Sequence, residues 1–231
     1  TNVWSSELSK LASNAMLAQR ISSINSLSAL TEKTGAKIDE LSDAIGRDHR
    51  IGKHFLNASV GFGGSCFKKD ILNLVYLCKH YGLNEVADYW HQVVKINNYQ
   101  MNRFAQKIID AFGGKLNGKI ITILGWAFKP NTNDSRESPS IYVAKKLFDS
   151  GAYLNIYDPM VPSEKIFSDI KDYWKIKPNN NDLNKRLKIL SGTLNNLKDS
   201  NAIAVITNWD EFKNINWDSI NKSTLIFNGI R

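Results

Sequence analysis

The segment Lys119-Ile120-Ile121-Thr122-Ile123-Leu124-Gly125 decides the fold of the second half of the chain. Its unbroken apolar run stops at a glycine, which is typical of a strand buried on both faces of a parallel sheet. Ser138 and Pro139 then predict a helix cap and first turn, Gly151 ends that helix, and a second apolar strand follows at 153–159. The order of strand, helix and strand predicts a βαβ unit.

Further apolar segments extend this unit. Gly113, Gly114 and Gly118 mark the boundary where the periodicity changes from helix to strand. Additional strands are expected at 188–190, 202–207 and 224–227. We therefore predict a Rossmann-like parallel sheet.

The sequence before residue 113 has helical periodicity. Apolar residues recur every three or four positions over residues 6–30, 38–45 and 84–112. The last of these patterns is apolar on more than one side, so this helix should bury a second face. We predict an α/β protein with an all-helical domain at 1–112 and a Rossmann-like domain at 113–231.

The composition is that of an ordinary globular protein, with 42% hydrophobic and 23% charged residues among 231. No apolar run is long enough to cross a bilayer and no signal peptide is present, so we expect no membrane partner. The net charge of +8 favours anionic partners. Because the basic residues are scattered, we expect a small molecule with a diphosphate rather than nucleic acid. The chain starts in the middle of a motif, so we also expect a piece of a longer protein.

The cysteines and histidines indicate the redox setting and the metal content. Cys66 and Cys78 are the only cysteines, too few for a disulfide framework, which predicts a reducing, cytoplasmic setting. The four histidines show no metal-ligand spacing, so we predict no metal.

Gly61-Phe62-Gly63-Gly64-Ser65-Cys66-Phe67-Lys68-Lys69-Asp70 is a glycine-rich segment that leads into a helix expected to begin at about Asp70. Its glycines allow the main chain to approach a ligand closely. Cys66 would lie near the helix N-terminus beside Lys68 and Lys69, where the helix dipole and two ammonium groups stabilise a thiolate. Cys66 is therefore a candidate nucleophile. The alternative is a small buried residue on a turn.

Lys10 and Asn14 form a second candidate group. They stand four positions apart on the first predicted helix, so both side chains can reach the same point. The alternative is a pair of unrelated surface side chains.

The segment after the strand at 119–125 replaces the G-x-G-x-x-G of the usual dinucleotide site with Gly-Trp-Ala-Phe-Lys-Pro. Ligands of an open parallel sheet bind beyond the carboxyl ends of its strands, where Phe128, Lys129 and Arg136 fall. Lys129 can pair with one phosphate, and the forked guanidinium of Arg136 can bind another. The alternative is that both are ordinary loop cations.

Three separated motifs resemble the UDP-glucose/GDP-mannose dehydrogenase family. They are Trp4–Leu11, Gly61–Asp70 and Gly125–Lys129, and they are spread over nearly the whole chain. The segment Ala127–Pro139 also resembles the UDP-binding signature of this family. The resemblance implies NAD-dependent oxidation of UDP-glucose to UDP-glucuronate in a homodimer or higher homo-oligomer. It implies that the helix at 84–112 forms the dimer core, and that an N-terminal NAD domain lies outside these residues.

The resemblance also implies roles for particular residues. The implied catalytic residues are Cys66, Lys10, Asn14 and Asp70. The implied substrate contacts are Lys10, Asn14, Arg50, Phe55, Asn57, Ser59, Phe62, Gly63, Phe128, Lys129 and Arg231. The implied cofactor contacts are Cys66, Phe67, Lys69 and Arg136.

Some of these positions carry a further implication. The resemblance places Arg50 across the dimer interface, on the substrate of the neighbouring subunit, and Phe55 near the uracil base. Asn57 stands where several relatives have lysine. Arg231 lies one position later than the arginine of the family motif, and Asn228 replaces the aspartate of that motif.

The implied mechanism uses the thiol to join two oxidations. Cys66 adds to the aldehyde as a thiohemiacetal, a second hydride leaves to form a thioester, and water hydrolyses it. Lys10 and Asn14 would stabilise the oxyanion, and Lys10 would move protons if burial lowered its pKa. Asp70 would orient water or, alternatively, cap the helix.

Other functions remain open on the sequence. One is a nucleotide-sugar-binding module without turnover, and another is a dehydrogenase of a different UDP or GDP sugar. A third is a thiol hydrolase or acyltransferase built on Cys66, which would need a histidine partner.

Overall fold

The computed structural model describes residues 2–175, 181–192 and 194–230. Contacts divide these residues into two compact units, one up to Gln100 and the other from Met101 to Ile230. The division falls inside the last helix of the helical half. The domain boundary predicted at residues 112 and 113 lies at the end of that helix and stays a prediction.

The first unit is helical. Its elements are α1 (Val3–Thr34), α2 (Ile38–Gly46), α3 (Phe67–His80) and the first part of α4 (Asn84–Ala111). Asn2 caps α1 by accepting a hydrogen bond from Ser5 N at 2.8 Å, and Gly35 ends it in the left-handed region at φ 77°. The fully buried Ala15 and Ala18 of α1 share one core cluster with Ile71 of α3. Small side chains on α1 therefore let α3 pack closely against it.

Helix α3 begins at Phe67, earlier than the predicted Asp70. Cys66 occupies the N-cap position, and Asp70 N donates to Cys66 O at 2.8 Å. The helix therefore places Cys66 and Asp70 one turn apart on the same face. The predicted N-cap role of Asp70 is wrong, because Asp70 lies inside the helix.

The second unit is a five-stranded parallel sheet in the order β3-β2-β1-β4-β5. Its strands are β1 (Ile120–Leu124), β2 (Tyr153–Tyr157), β3 (Leu187–Ile189), β4 (Ala202–Val205) and β5 (Leu225–Asn228). Its α-helices are the end of α4, then α5 (Pro139–Asp149), α6 (Ser163–Trp174) and α7 (Asn181–Arg186). Three short 3₁₀ helices lie at Leu194–Asp199, Asp210–Asn214 and Trp217–Ser219. The predicted α/β class and parallel sheet are confirmed.

The register of the central strands places their carboxyl ends at one edge. Leu124 at the end of β1 pairs with Tyr157 of β2 and with Val205 of β4. Ser138 caps α5 through a hydrogen bond that its hydroxyl accepts from Ser140 N, and Pro139 follows in the first turn. The segment between β1 and α5 therefore begins at the sheet edge where parallel sheets bind their ligands.

Candidate active site

Cys66 is exposed, whereas Cys78 is buried in the core of the first unit. The interpretation of Cys66 as a small buried residue is therefore wrong, and that description fits Cys78. Ser65 Oγ lies 3.8 Å from Cys66 Sγ. In the described part of the chain no histidine hydrogen-bonds to Cys66, so the partner that a thiol hydrolase needs is not in place.

Lys10 and Asn14 converge on Asp70. Lys10 Nζ and Asn14 Nδ2 each donate to Asp70 Oδ2 at 2.6 Å. The side chain of Asp70 is 3% exposed, whereas that of Lys10 is 60% exposed. The cluster therefore has a buried carboxylate beneath an accessible ammonium group, one helical turn from the exposed thiol.

The electrostatics of this cluster keep both partners charged. Burial by itself raises the pKa of Asp70, but the hydrogen bonds from Lys10 and Asn14, with the charges of Lys10 and Lys69, hold it below its ordinary value of 3.8. The hydrogen bond to Asp70 raises the pKa of Lys10 above its ordinary value of 10.5, and burial opposes this only in part. Proton transfer by Lys10 was made conditional on a pKa lowered by burial, and that condition is not met, because the side chain of Lys10 stays exposed beside a carboxylate.

The segment that leads to Cys66 is held by side-chain amides. We call residues 59–66 the cysteine loop. Asn25 Oδ1 accepts from Ser59 N at 2.8 Å, and Gln100 Nε2 donates to Ser59 O at 2.7 Å. Asn97 pairs with both backbone groups of Phe62, at 2.8 Å and 3.0 Å. Hydrogen bonds from these buried amides satisfy backbone N–H and C=O groups of the loop, which in a sheet would be satisfied by a neighbouring strand.

The amides were not predicted from the sequence. Asn97 lies on the same helical face as the buried Val93, Val94 and Met101, and a polar residue in such a row is a signal for a specific partner. Asn25 Nδ2 is a buried side-chain polar atom without a hydrogen-bond partner among the described residues. Asn25 thus accepts a hydrogen bond from the loop through Oδ1, while its Nδ2 donor stays unpaired among the described residues.

The segment before the cysteine loop contains three of the predicted substrate residues, Arg50, Phe55 and Asn57, and all three are exposed. Phe55 is exposed and has a positive φ of 61°, which is uncommon for a bulky residue. Arg20 of α1, which the sequence did not single out, donates to Gly52 O and His54 O and fixes the chain just before Phe55. Arg50 lies in the loop after α2 and forms an ion pair with Asp48.

The other predicted residues of the first unit differ in burial. Asn57, Cys66 and Lys69 are exposed, Ser59 and Phe67 are half-buried, and Phe62 and Gly63 are buried. The rings of Phe62 and Phe67 pack edge to face with centroids 5.7 Å apart. Phe62 is therefore a support of the loop, while the exposed members are accessible to ligand.

Two buried carboxylates of the second unit hold the β1–α5 loop, residues 125–138. Asp158 Oδ2 accepts from Trp126 N at 2.6 Å and from Ala127 N at 2.9 Å. Asp169 Oδ2 accepts from Trp126 Nε1 at 3.0 Å and from the hydroxyl of Ser135. The loop is therefore anchored near both of its ends, a feature that the sequence did not predict.

Gly125 allows this loop to leave the sheet. Its φ is +98°, and a Cβ at this position would lie 2.4 Å from Thr207 Cβ. Thr207 Oγ1 donates to Ala127 O at 2.7 Å, so the segment that follows β4 is in direct contact with the loop. Any side chain at residue 125 would push the loop away from Thr207.

The predicted ligand residues of the β1–α5 loop lie outside this buried anchor. Phe128 is half-buried and Lys129 is exposed, with Lys129 Nζ 5.5 Å from the Phe128 ring centroid. Arg136 is exposed and forms an ion pair with Asp134. Arg231 lies outside the described residues. The two loop cations are therefore accessible beyond the carboxyl end of β1.

The described residues contain neither a cluster of metal ligands nor a membrane-spanning helix. Over residues 2–175, 181–192 and 194–230, no three His, Cys, Asp or Glu side chains cluster as metal ligands would. Within the same ranges, no helix has the length and apolar character needed to span a bilayer.

Comparison with known proteins gives two family matches. Residues 4–99 match the central domain of the UDP-glucose/GDP-mannose dehydrogenase family, and residues 122–230 match the UDP binding domain of that family. UDP-glucose 6-dehydrogenase of Gallus gallus is 52% identical over 235 residues, which covers 100% of this chain and 47% of that protein. UDP-glucose 6-dehydrogenase 4 of Arabidopsis thaliana is 49% identical and covers 99% of this chain and 50% of that protein.

A solved structure agrees with these matches. The UDP-glucose dehydrogenase from the hyperthermophilic archaeon Pyrobaculum islandicum is 30% identical, with a TM-score of 0.80 over 97% of this chain and 47% of that one. The chain spans about half the length of the curated relatives it matches. Both of its units correspond to domains of one family, and the chain therefore belongs to the UDP-glucose/GDP-mannose dehydrogenase family.

Proposed function

We propose that this chain is the catalytic-thiol and UDP-sugar-binding portion of an NAD-dependent oxidoreductase that converts UDP-glucose to UDP-glucuronate. The observation that carries the proposal is the exposed Cys66 at the N-terminus of α3, one turn from the cluster of Asp70, Lys10 and Asn14. Relatives about half identical over the whole chain bear the name UDP-glucose 6-dehydrogenase, which supports the choice of substrate. We also propose a cytoplasmic setting, because both cysteines are free thiols.

In the proposed reaction the thiol covalently links two oxidations. The sugar C6 alcohol loses a hydride and a proton to become an aldehyde. Cys66 Sγ then bonds to the aldehyde carbon, and the carbonyl oxygen becomes the thiohemiacetal oxygen. Loss of the remaining hydride from that carbon and of the proton from the thiohemiacetal hydroxyl gives a thioester. Water adds to the thioester, the C–S bond breaks, and the thiol and the carboxylate product are released.

The Asp70 cluster would stabilise charge rather than shuttle protons. Since the pKa of Lys10 is raised, its ammonium group remains charged at neutral pH and can donate to the developing oxyanion together with Asn14. Asp70 holds both donors on one oxygen, and no donor in the described part of the chain bonds its Oδ1. That oxygen is the group we assign to orienting the hydrolytic water.

NAD would accept the hydride in both oxidations. The residues assigned to it fit an anionic dinucleotide, because Lys69 is an exposed cation in the first turn of α3 and Arg136 is an exposed guanidinium beyond β1. Phe67 and Cys66 would add contacts beside Lys69. The sequence contains no G-x-G-x-x-G, so these residues would supplement a dinucleotide fingerprint located elsewhere in the full-length protein.

Each unit contains residues that we assign to the substrate. In the first unit, Arg50, Phe55, Asn57 and Ser59 would contact the nucleotide, with Phe62 and Gly63 supporting the loop beside the sugar. In the second unit, Lys129 is an accessible cation for a diphosphate oxygen, and Phe128 lies beneath it. Arg231 is assigned to substrate from the family resemblance alone.

We also propose a homodimer or higher homo-oligomer built on the helices α1 and α4. A groove of about 190 Å³ runs between them and is lined by Gln19, Ser22, Ser23, Ser26, Tyr89, Gln92, Val93 and Ile96. Tyr89 beside it is 56% exposed, an apolar surface that a second copy would cover. Sedimentation of the full-length protein measures this state directly.

The function is tested by Cys66→Ser in the full-length protein, with Cys78→Ala as the control that removes the other thiol. We expect Cys66→Ser to bind UDP-glucose with little change in affinity, measured by calorimetry, and to lose at least about 100-fold in UDP-glucuronate formation. Cys78→Ala should retain turnover. Complete oxidation by Cys66→Ser at a near-native rate would refute the covalent mechanism. Binding without turnover in the unmodified protein would indicate a nucleotide-sugar-binding module instead.

The identity of the sugar nucleotide is tested by repeating the calorimetric titration with UDP-glucose in the presence of competitors. UDP-galactose and GDP-mannose should compete much more weakly than UDP-glucose. Preferential binding of either competitor would identify a dehydrogenase of another sugar nucleotide.

A further inference from the structure

Two arginines of this chain share a local sequence pattern. Of the seven arginines, only Arg50 and Arg136 follow an aspartate by two positions, in Asp48-His49-Arg50 and Asp134-Ser135-Arg136. These are also the arginines of the described residues that the proposed function assigns to nucleotide ligands. An aspartate two positions earlier is therefore a feature that both of these arginines share.

Both aspartates bind their arginine with the same set of atoms. Asp48 Oδ1 accepts from Arg50 N and Nε, each at 3.0 Å, and Asp48 Oδ2 accepts from Arg50 Nη2 at 2.6 Å. Asp134 Oδ1 accepts from Arg136 N at 3.0 Å and Nε at 2.9 Å, and Asp134 Oδ2 accepts from Nη2 at 2.8 Å. We call this three-point arrangement the Asp-x-Arg clamp.

The clamp fixes the direction in which the guanidinium points. The bond to the backbone N–H orients the carboxylate, and the carboxylate then holds the Nε–Nη2 edge of the guanidinium in its plane. The side chains of Arg50 and Arg136 remain 78% and 60% exposed. Each arginine is thus held on one edge while most of its surface stays accessible.

The pairs are charged at neutral pH. Hydrogen bonds from the arginine side chains hold the pKa of Asp48 and of Asp134 below the ordinary value for aspartate. Exposed ion pairs of this kind contribute little to the free energy of unfolding. Their main consequence is the conformational freedom that the arginine has already lost before a ligand arrives.

We propose that Asp48 and Asp134 are positioning residues that pre-orient Arg50 and Arg136 toward phosphate oxygens of the nucleotide ligands. The proposal rests on the proposed function, which assigns Arg50 to UDP-glucose and Arg136 to NAD. Removing an aspartate has two opposing effects. It increases the local positive charge, which attracts anions, and it frees the arginine, which must then be ordered on binding. At physiological salt the exposed charge is screened, so the ordering effect dominates.

The test uses the full-length protein at about 0.15 M salt. Asp48→Ala should raise KM and Kd for UDP-glucose about three- to tenfold while kcat changes little. The reason is that Arg50, no longer held by Asp48, must be ordered when the ligand binds, which costs about 1 kcal/mol of binding free energy. Asp134→Ala should raise KM and Kd for NAD by a similar factor. Each variant should affect its own ligand and leave the other ligand unchanged.

The matched control is Asp43→Ala. Arg47 donates to Asp43 Oδ2 from Nε at 3.2 Å and Nη2 at 2.8 Å, so this variant removes another exposed arginine–aspartate pair with the same change in charge. Arg47 has no proposed ligand, and neither KM should change. Thermal unfolding of all three variants is followed in parallel, since a merely structural role would lower the melting temperature without selecting one ligand.

The clamp is refuted if Asp48→Ala and Asp134→Ala bind their ligands as well as or better than the unmodified protein. Calorimetric Kd values are measured alongside turnover, so the clamp is tested even in a preparation that binds nucleotides without oxidising them. Failure of the proposed function is recognised separately. In that case Arg50→Ala and Arg136→Ala themselves would leave the affinities for UDP-glucose and NAD unchanged.

Discussion

One buried aspartate lies beside the cysteine loop and another beneath the β1–α5 loop, and the two aspartates are used differently. Asp70 beside the cysteine loop accepts two hydrogen bonds on one oxygen, one of them from a charged lysine. Asp158 beneath the β1–α5 loop accepts five hydrogen bonds on both oxygens, and every donor is neutral. The donors are Trp126 N, Ala127 N, Trp209 Nε1, Met160 N and Val161 N.

The difference separates a structural carboxylate from a chemical one. A carboxylate whose lone pairs are filled by neutral N–H groups fixes the main chain and has little capacity left for a ligand. A carboxylate with one uncommitted oxygen and an exposed cation on the other can take part in a reaction. We therefore expect substitution of Asp70 to affect turnover and substitution of Asp158 to affect folding.

The largest expected effect is on turnover in Asp70→Asn. The neutral amide no longer attracts Lys10, and it offers a weaker acceptor to water, so we expect kcat to fall about 100- to 10,000-fold. Steady-state kinetics of the full-length protein measure this, with UDP-glucose affinity as the control for folding. A loss of less than tenfold would place Asp70 among the structural carboxylates.

The converse expectation concerns Asp158→Asn. An amide nitrogen would face N–H donors that now find a carboxylate, so the free energy of unfolding should fall by about 3 to 5 kcal/mol. Urea unfolding of this variant and of Asp70→Asn gives the comparison directly. Equal stability losses in the two variants would remove the distinction between the two sites.

Gly125→Ala tests whether the β1–α5 loop needs the path set by Asp158. The substitution combines a positive φ with a contact of 2.4 Å to Thr207, and we expect a loss of about 2 to 4 kcal/mol. Gly35→Ala is the matched control, because Gly35 has φ +77° but open space around its Cβ direction. The control should lose only the smaller cost of the backbone conformation. Similar losses in both variants would mean that the contact with Thr207 relaxes easily.

The smallest expected effect is the pH dependence of the Asp70–Lys10 pair. Because the pKa of Asp70 is lowered on folding, its contribution to stability is present above pH 3.8 and is lost as the pH falls through the folded pKa below that value. The pKa of Lys10 is raised, so its contribution is present below pH 10.5 and is lost as the pH rises through the folded pKa above that value. The donors to Asp158 do not titrate over this range.

The measurement is the difference in unfolding free energy between the unmodified protein and Asp70→Asn across pH 3 to 7. Subtracting the variant removes the contribution of all other carboxylates. The difference should shrink below pH 3.8. A difference that grows on acidification would contradict the lowered pKa of Asp70.

The parts of the fold that could be predicted from the sequence are those set by interactions between residues close together in the chain. Ser138 and Pro139 fixed the start of α5 in the sequence, because caps and first turns act within a few residues. Helix α6 was not predicted, although its buried Ile166, Ile170 and Trp174 recur every four positions. The helical periodicity of these three residues was present, but it was weak because the rest of the segment is mostly polar.

The candidate site was predictable in part for the same reason. Spacing alone placed Lys10 and Asn14 on one face of α1 and placed Cys66 at a helix N-terminus. Their common partner lies 60 and 56 positions away, so only packing could bring Asp70 to them. The sequence did not give the direction of the Lys10 pKa, since that direction depends on the contact with Asp70 and on an exposure that no local pattern reveals.

The amino-acid sequence by itself determined the α/β class, the strands and the residue types that carry the proposed chemistry, because these depend on periodicity, caps and turns within single segments. The tertiary structure alone decided which polar groups became supports. Asn25, Asn97 and Gln100 hold the cysteine loop, and Asp158 and Asp169 hold the β1–α5 loop. Buried polar groups must find partners wherever the fold brings them, and those partners are far away in the chain.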